Sequence, residues 1–380
     1  MNCKTLLLLL LSSYLFSCSD TQPILHKGEK LVTATTAIVD TITISCPEGS
    51  SGYGNYYLND TTITLADAMA CTFYDFSLDG KFLGDYFRKG RGKNEITAMM
   101  FAYPIEGDLN NRCLIVDNSY GSNIFKTTEK ELGRNVALKF HWDGKQESDY
   151  TSPKMYGIIG LADLGLSFHL TPDSMMIFQA GIINRNTASP DAIESNRYSN
   201  GAIFGKLNLQ TMEVDSMFGH FPDIYKQHTI PHIEYFDYAM ASDTLYVSHA
   251  IDSLIYAYRY PDKLLYTFGY ECKGINRNYT ETTRIDLGEI FEKDIQNVGL
   301  NTELIYCKEN QTLARTYIKS MVTGETGLQI YKDNNLIADV DVPAFFKLLG
   351  YKNGSYYGVS YKPDEQEDKT NLLFYKLKIS

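Results

Sequence analysis

Apolar and polar residues alternate in short runs along most of the chain, and the runs recur as a unit. The clearest copy joins Asp243–Ala250, Ser253–Tyr260 and Leu264–Gly269, with a tight turn at Pro261, Asp262 and Lys263. Every second residue in each run is apolar, the period of a half-buried β-strand rather than a helix. The same grammar appears at Cys71–Phe87, Ala202–Phe218 and Leu328–Val340, and more weakly at Asn111–Phe125 and at Gly354–Tyr361 with Leu372–Ile379. Anchored on their third strands, the copies start near 73, 123, 204, 255, 328 and 372, in steps of roughly 50, 81, 51, 73 and 44. A four-stranded blade takes about 40–50 residues, so the two long steps carry insertions. Six copies predict an all-β, six-bladed β-propeller. A large β-sandwich, or two stacked β-domains, is the competing architecture. Ala344–Leu349 and Thr128–Leu132 offer at most a turn or two of helix, and no Pro/Gly/Ser-rich linker divides the chain.

The ends of the chain complete this picture. The sixth copy has its inner strands but lacks an outer one before the chain stops at Ser380. Thr36–Ser45 is rich in β-branched residues and precedes the first copy, which suits a strand. Ile38–Ile44 is therefore expected to pair antiparallel with Leu372–Ile379, closing the last blade with an N-terminal strand. Removing Ser19–Lys30 should then barely change stability. Removing everything through Ser45 should delete a strand and several buried β-branched side chains.

Residues 1–17 read as a signal peptide: Lys4 is the cationic start, Leu6–Phe16 the apolar stretch, and Leu15-Phe16-Ser17-Cys18 a lipobox. Cys18 is the predicted lipidation site, and several acyl chains would hold the protein stably on a membrane. Residues 18–30 form a polar tether and 31–380 one propeller domain. Ser19, rather than an Asp, follows the Cys, which favours the outer membrane of a bacterial envelope. Five cysteines remain in the mature chain: Cys46, Cys71, Cys113, Cys272 and Cys307. An odd number at spacings of about 25 to 160 residues makes neither a complete disulfide framework nor a zinc pattern. They are expected as buried thiols, although export would permit a bridge.

The stretch from Gly80 to Glu95, Gly-Lys-Phe-Leu-Gly-Asp-Tyr-Phe-Arg-Lys-Gly-Arg-Gly-Lys-Asn-Glu, resembles the signature of TolB-like six-bladed propeller lipoproteins of Bacteroidota. In that family an outer strand of an early blade runs into a Gly-Arg-Gly-Pro-x-Glu turn. This chain has Lys93 in place of the Pro and Ile96 in place of an aromatic. The resemblance covers 16 residues and implies a propeller on a lipid anchor, with no implied activity.

Composition narrows the function classes. The 35 Lys and Arg against 46 Asp and Glu give a net charge of −11, and −12 once Lys4 is cleaved away with the leader. An acidic chain without a basic cluster is a poor match for nucleic acid, and only one apolar run reaches any length, which excludes a polytopic membrane protein. Arg88, Arg91 and Glu95 sit in the Gly-punctuated turn. They read either as an anion or carboxylate site or as a clamp in which Gly90 and Gly92 take positive φ while Arg91 and Glu95 brace the next blade. His228 and His232, with His220 and Asp223 nearby, have ligand spacing only on a helix, which Pro231 disfavours. Trp142 and Tyr150, with Tyr156 beyond them, lie in the first insertion, where aromatics suit stacking on a sugar or gripping a partner. The second insertion, Glu271–Gly299, carries Arg277, Tyr279 and Arg284 and reads as a solvated charged loop.

No Gly-x-Ser-x-Gly, phosphate-binding or dinucleotide signature is present. No metal set is predicted. Ca²⁺ at the channel is the one cofactor left open, through Asp117, Asn118, Asn184 and Asn208. The sequence reads as a lipid-anchored, non-enzymatic binding module for a protein partner or a glycan. The alternative is a Ca²⁺-dependent hydrolase or lyase.

Overall fold

The computed structural model describes residues 25–34, 37–117, 121–133, 135–140, 152–153, 156–158, 167–182, 197–283, 287–362 and 371–379. The architecture is all-β and propeller-like, built from up-and-down meanders. An opening sheet contains Gly54–Leu58, Thr62–Asp67, Thr72–Ser77 and Phe82–Tyr86 in that order. A tyrosine-rich sheet contains Phe236–Ala241, Thr244–His249, Ile255–Arg259 and Lys263–Phe268. Leu300–Cys307, Thr312–Ile318, Thr326–Lys332 and Asn335–Val342 follow, with Lys30–Ala34 added in parallel as a fifth, outermost strand. The closing sheet runs Lys347–Lys352, Ser355–Lys362, Asn371–Ile379 and Ala37–Ser45.

The remaining strands do not separate into individual blades. Phe101–Glu106, Arg112–Val116, Gly121–Lys126 and Val136–Ala137 form one meander. Phe168–Leu170, Met176–Ile182, Phe204–Asn208 and Glu213–Phe218 form another. A short parallel seam, Ile105 opposite Phe168 and Glu106 opposite His169, joins them into one nine-stranded sheet that also includes Tyr156–Ile158. The third strands begin at Thr72, Gly121, Phe204, Ile255, Thr326 and Asn371, within two residues of the starts set by the alternation.

The first strand of each meander is innermost. Direct contacts join the first strands of neighbouring meanders across most of the ring, from Leu300–Cys307 through Lys347–Lys352 and Gly54–Leu58 to Phe101–Glu106 and Phe168–Leu170. Phe236–Ala241 contacts Leu300–Cys307 on one side. On the other, the Tyr238 hydroxyl lies 2.7 Å from the carbonyls of Ser167 and Ile177, and Ser167 Oγ donates to Asp237 at 3.0 Å. Six buried apolar clusters fill the spaces between neighbouring meanders. At about 25 cal/mol per Å² of buried apolar surface, these layers are the main force holding the ring together.

Ala37–Ser45 pairs antiparallel with Asn371–Ile379 along its whole length, Ile38 opposite Lys378 and Ile44 opposite Leu372, in the register expected. Its burial is less than expected. Only Ile44 is fully buried, while Ile38 and Val39 are exposed, because an outermost strand has no neighbour beyond it. The Ile42 and Ile44 side chains instead press against Gly80, where a Cβ would come within 2.5 Å of Ile42 and where φ is +82°. That turn therefore requires glycine.

The tether boundary also shifts. Lys27 N donates to Thr267 O, Thr267 N to Leu25 O, Glu29 N to Asn335 Oδ1, and the Tyr270 hydroxyl to Gly28 O. Residues 25–30 are thus docked on the rim, and their loss should cost stability. Ala344–Leu349 is no helix, since Lys347 opens an inner strand. Among the described residues the helices are Arg197–Asn200, Asp223–Gln227 and Gly288–Ile295. The last lies in the second insertion.

Candidate functional site

Strand direction alternates within a meander, so turns joining first to second strands gather at one end of the channel. Four of them, from the opening sheet, the first half of the fused sheet, the five-stranded sheet and the closing sheet, surround a cavity of about 940 Å³. Its wall carries Asp60, Glu106, Glu309, Arg112, Lys308 and Lys352, with Tyr86, Tyr306 and Tyr351 among them.

Local sequence builds these turns. Asn59 N donates to Thr62 O, and the Asn59 amide to Thr62 Oγ1 and Thr64 Oγ1. Asp108 follows Gly107, whose φ is +79°, and accepts from the backbone N–H groups of Asn110 and Arg112. Asn353 and Gly354 take positive φ at the last turn. Asx-type side chains and glycine are what such reversals need.

Ion pairs hold several charges of the cavity in place. Lys352 Nζ donates to Asp60 Oδ1 at 2.8 Å, tying the closing sheet to the opening sheet. That bond holds the Asp60 carboxyl below its usual range and the Lys352 ammonium above its own. Burial is the largest single effect on Asp108 and raises it, but the Arg112 guanidinium at 2.6 Å and the backbone N–H groups of Arg112 and Asn110 together leave it lowered. His169 lies inside the ring with Nδ1 3.5 Å from Glu106 Oε2. Burial lowers the imidazole more than Glu106 raises it. The wall therefore presents carboxylates and cations beside phenols, an arrangement that recognises hydroxyls and charges through directional hydrogen bonds.

Of the site residues singled out from sequence, Arg88, Arg91 and Glu95 do not line this cavity. Arg88 and Arg91 are exposed: Arg88 starts a two-residue parallel ribbon in which Arg88–Lys89 pairs with Glu95–Ile96, and Arg91 lies in the turn between those strands. Glu95 accepts from Gly92 N at 2.6 Å and folds back over Gly90, where a Cβ would sit 2.0 Å from the carboxylate. The expected clamp is therefore corrected. Gly90 and Gly92 are needed for this close approach, not for positive φ, which Phe87 and Asn94 adopt instead. Asn94, accepting from Leu132 N, braces the next meander in place of Arg91.

His228 pairs with Glu281 on the surface at 2.7 Å, whereas His232 is buried against Asp294 at 2.8 Å. Asp117 accepts from Gly121 N, while Asn208 caps its own turn at Gln210 and Thr211. Those two ends of different strands do not meet, and Asn118 and Asn184 lie outside the described residues. Among the described residues, no group of three or more His, Cys, Asp or Glu side chains is placed to hold a metal. Cys18, Trp142, Tyr150 and Arg284 also lie outside the described residues. Tyr156 is core, its hydroxyl accepting from Ala202 N. Cys46, Cys71, Cys113, Cys272 and Cys307 are unpaired thiols.

Most described residues of the second insertion are exposed or half-buried, but its own hydrogen bonds order it. Arg277 reaches Glu271, Ala250 O and Asn301, Tyr279 donates to Gly299 O, and Asp294 accepts twice from Thr280.

Among the described residues, no helix is long and apolar enough to cross a membrane. No protein-family model and no curated protein matches the chain. Solved structures do. A member of the DUF4221 family from Bacteroides vulgatus superposes with a TM-score of 0.68 at 12% identity, over 91% of this chain and 99% of that one. A Bacteroides fragilis protein described as exported superposes with a TM-score of 0.51 at 11% identity, over 93% and 99%. At such identities the likeness concerns the fold.

Proposed function

We propose that the protein is a six-bladed, lipid-anchored propeller of the bacterial cell envelope that binds a glycan in the channel-mouth cavity. Reading the nine-stranded sheet as two blades supports the count of six, because its seam is only two residue pairs long and a separate apolar cluster lies at each junction. The lipobox at Cys18 and the resemblance of Gly80–Glu95 to TolB-like lipoproteins support the outer-membrane address. A Cys18→Ala chain should lose its acyl groups and either enter the soluble periplasmic fraction or persist as uncleaved precursor.

The observation that carries the binding role is the cavity itself. Four turns converge on one concave site of about 940 Å³, near the upper end of the few hundred to about 1,000 Å³ typical of small-molecule sites. A protein partner would ask instead for a broad surface of about 800 Å² per side. Phenols beside fixed charges match a sugar's apolar face and its hydroxyls. Retention on immobilised polysaccharides tests this against the first insertion. Tyr306→Ala with Tyr351→Ala should abolish retention, and Trp142→Ala should leave it intact. The opposite pattern would move the site to the insertion.

A further inference from the structure

We propose that the N-terminal strap, residues 25–34 and 37–39, is the side of the propeller that lies against the lipid surface, an inference that rests on acylation of Cys18. The strap leaves the tether at the edge of the tyrosine-rich sheet, where His26 bridges to Thr267. It then runs along the outside of the five-stranded sheet at Lys30–Ala34 and of the closing sheet at Ala37–Ser45.

Along this path the molecule shows apolar side chains it should otherwise hide. Leu25 is 58% exposed, Leu31 47%, Ile38 63% and Val39 39%. Lys27 and Lys30 are exposed beside them, and Lys378 lies opposite Ile38. A chain of net charge −11 is repelled by anionic headgroups, except where it presents lysines that reach past an apolar stripe.

The length of the tether decides the occupant. Six residues separate Cys18 from Leu25, seven Cα–Cα steps with a reach of at most about 25 Å when fully extended. A compact domain of this length has a diameter of roughly 50 Å. The lipid therefore cannot reach the far rim, and the strap is the exposed apolar feature held nearest the bilayer. The channel axis would then lie along the membrane plane rather than across it, leaving both mouths open to the aqueous side.

The experiment uses the full processed chain on phosphatidylethanolamine and phosphatidylglycerol vesicles carrying a headgroup-level spin quencher. A fluorescent label is placed at Leu31→Cys, Ile38→Cys or Leu109→Cys, each in a Cys46→Ser background. Labels at 31 and 38 should be quenched at least two-fold more than the label at 109, which sits on the fully exposed cavity rim. Equal quenching at all three positions, in protein whose mass includes the acyl groups, overturns the orientation. A Cys18 without acyl mass in soluble protein overturns the anchor instead. A stable dimer of the Cys18→Ala chain that Ile38→Glu splits would assign the rim to a second copy and overturn the lipid assignment.

Discussion

The two ends of the channel handle charge in opposite ways. At the cavity end the connections are short turns, where Lys352 pairs at the surface with a largely exposed Asp60 and Arg112 with a buried Asp108. At the other end the connections are long and bury their charges. Arg197 and Glu234 pair beneath the surface, Asp294 holds His232 and Thr280, and Arg315 is fully buried. Arg315 reaches Gln329, Tyr331 and the carbonyls of Ser253 and Tyr270, bonding two neighbouring sheets. Buried charges held by hydrogen bonds fix one geometry and are costly to disturb. Surface pairs contribute little to folding and remain available to a ligand. The contrast assigns structure to one end and recognition to the other.

The largest effect should come from Arg315. Arg315→Ala removes the donor to the Ser253 carbonyl and one donor each from the Tyr270 carbonyl and the Gln329 amide oxygen, which keep Gln329 Nε2 and the Tyr331 hydroxyl, and should cost about 3 kcal/mol, read as a lower midpoint in urea. A loss below about 1 kcal/mol would break the contrast.

Next in size is the acid response of His249. The imidazole is fully buried among the rings of Tyr225, Phe236 and Tyr256, with no hydrogen-bond partner for either nitrogen. Burial lowers it to about 3. A lowered folded value means the neutral form is favoured, so this stability is complete above the ordinary value near 6.5 and is lost as pH falls toward 3. Asp237 has the opposite sign. Burial raises it to about 7, so its contribution is complete below the ordinary 3.8 and is lost as pH rises through 7. Unfolding measured from pH 7 to pH 4 should be less acid-sensitive in His249→Phe than in the wild type. Asp237→Asn should remove the opposing slope. Unchanged profiles in both variants would place these groups in water.

How much of this was readable in advance depended on whether partners lie close in sequence. Strands such as Ile255–Arg259 announce themselves by alternation, and the closure of Ala37–Ser45 on Asn371–Ile379 follows from an incomplete last copy. Lys347–Lys352 hid because a bulge between Leu348 and Gly350 breaks its alternation. Asp294 and Arg277 read as solvated because their burial depends on His232 and Asn301, far away in sequence. The cavity was invisible for the same reason, since Asp60 and Lys352 lie 292 residues apart. Only the Asn-Asp and Gly-Asp turns marked its wall, and they mark any hairpin equally well.

The smallest effect on folding belongs to the cavity. Lys352→Ala should change stability by less than about 1 kcal/mol, because its partner is exposed. The same substitution should weaken glycan retention measurably, and a variant that lost several kcal/mol while binding normally would reverse the roles of the two ends.

Hydrogen exchange of the full chain, with and without a tetrasaccharide from the retaining polysaccharide, tests that assignment most directly. Added protection should fall on the turns at 58–62, 106–112, 307–312 and 352–355. Protection confined to 219–235 and 269–299, with those turns unchanged, would contradict it.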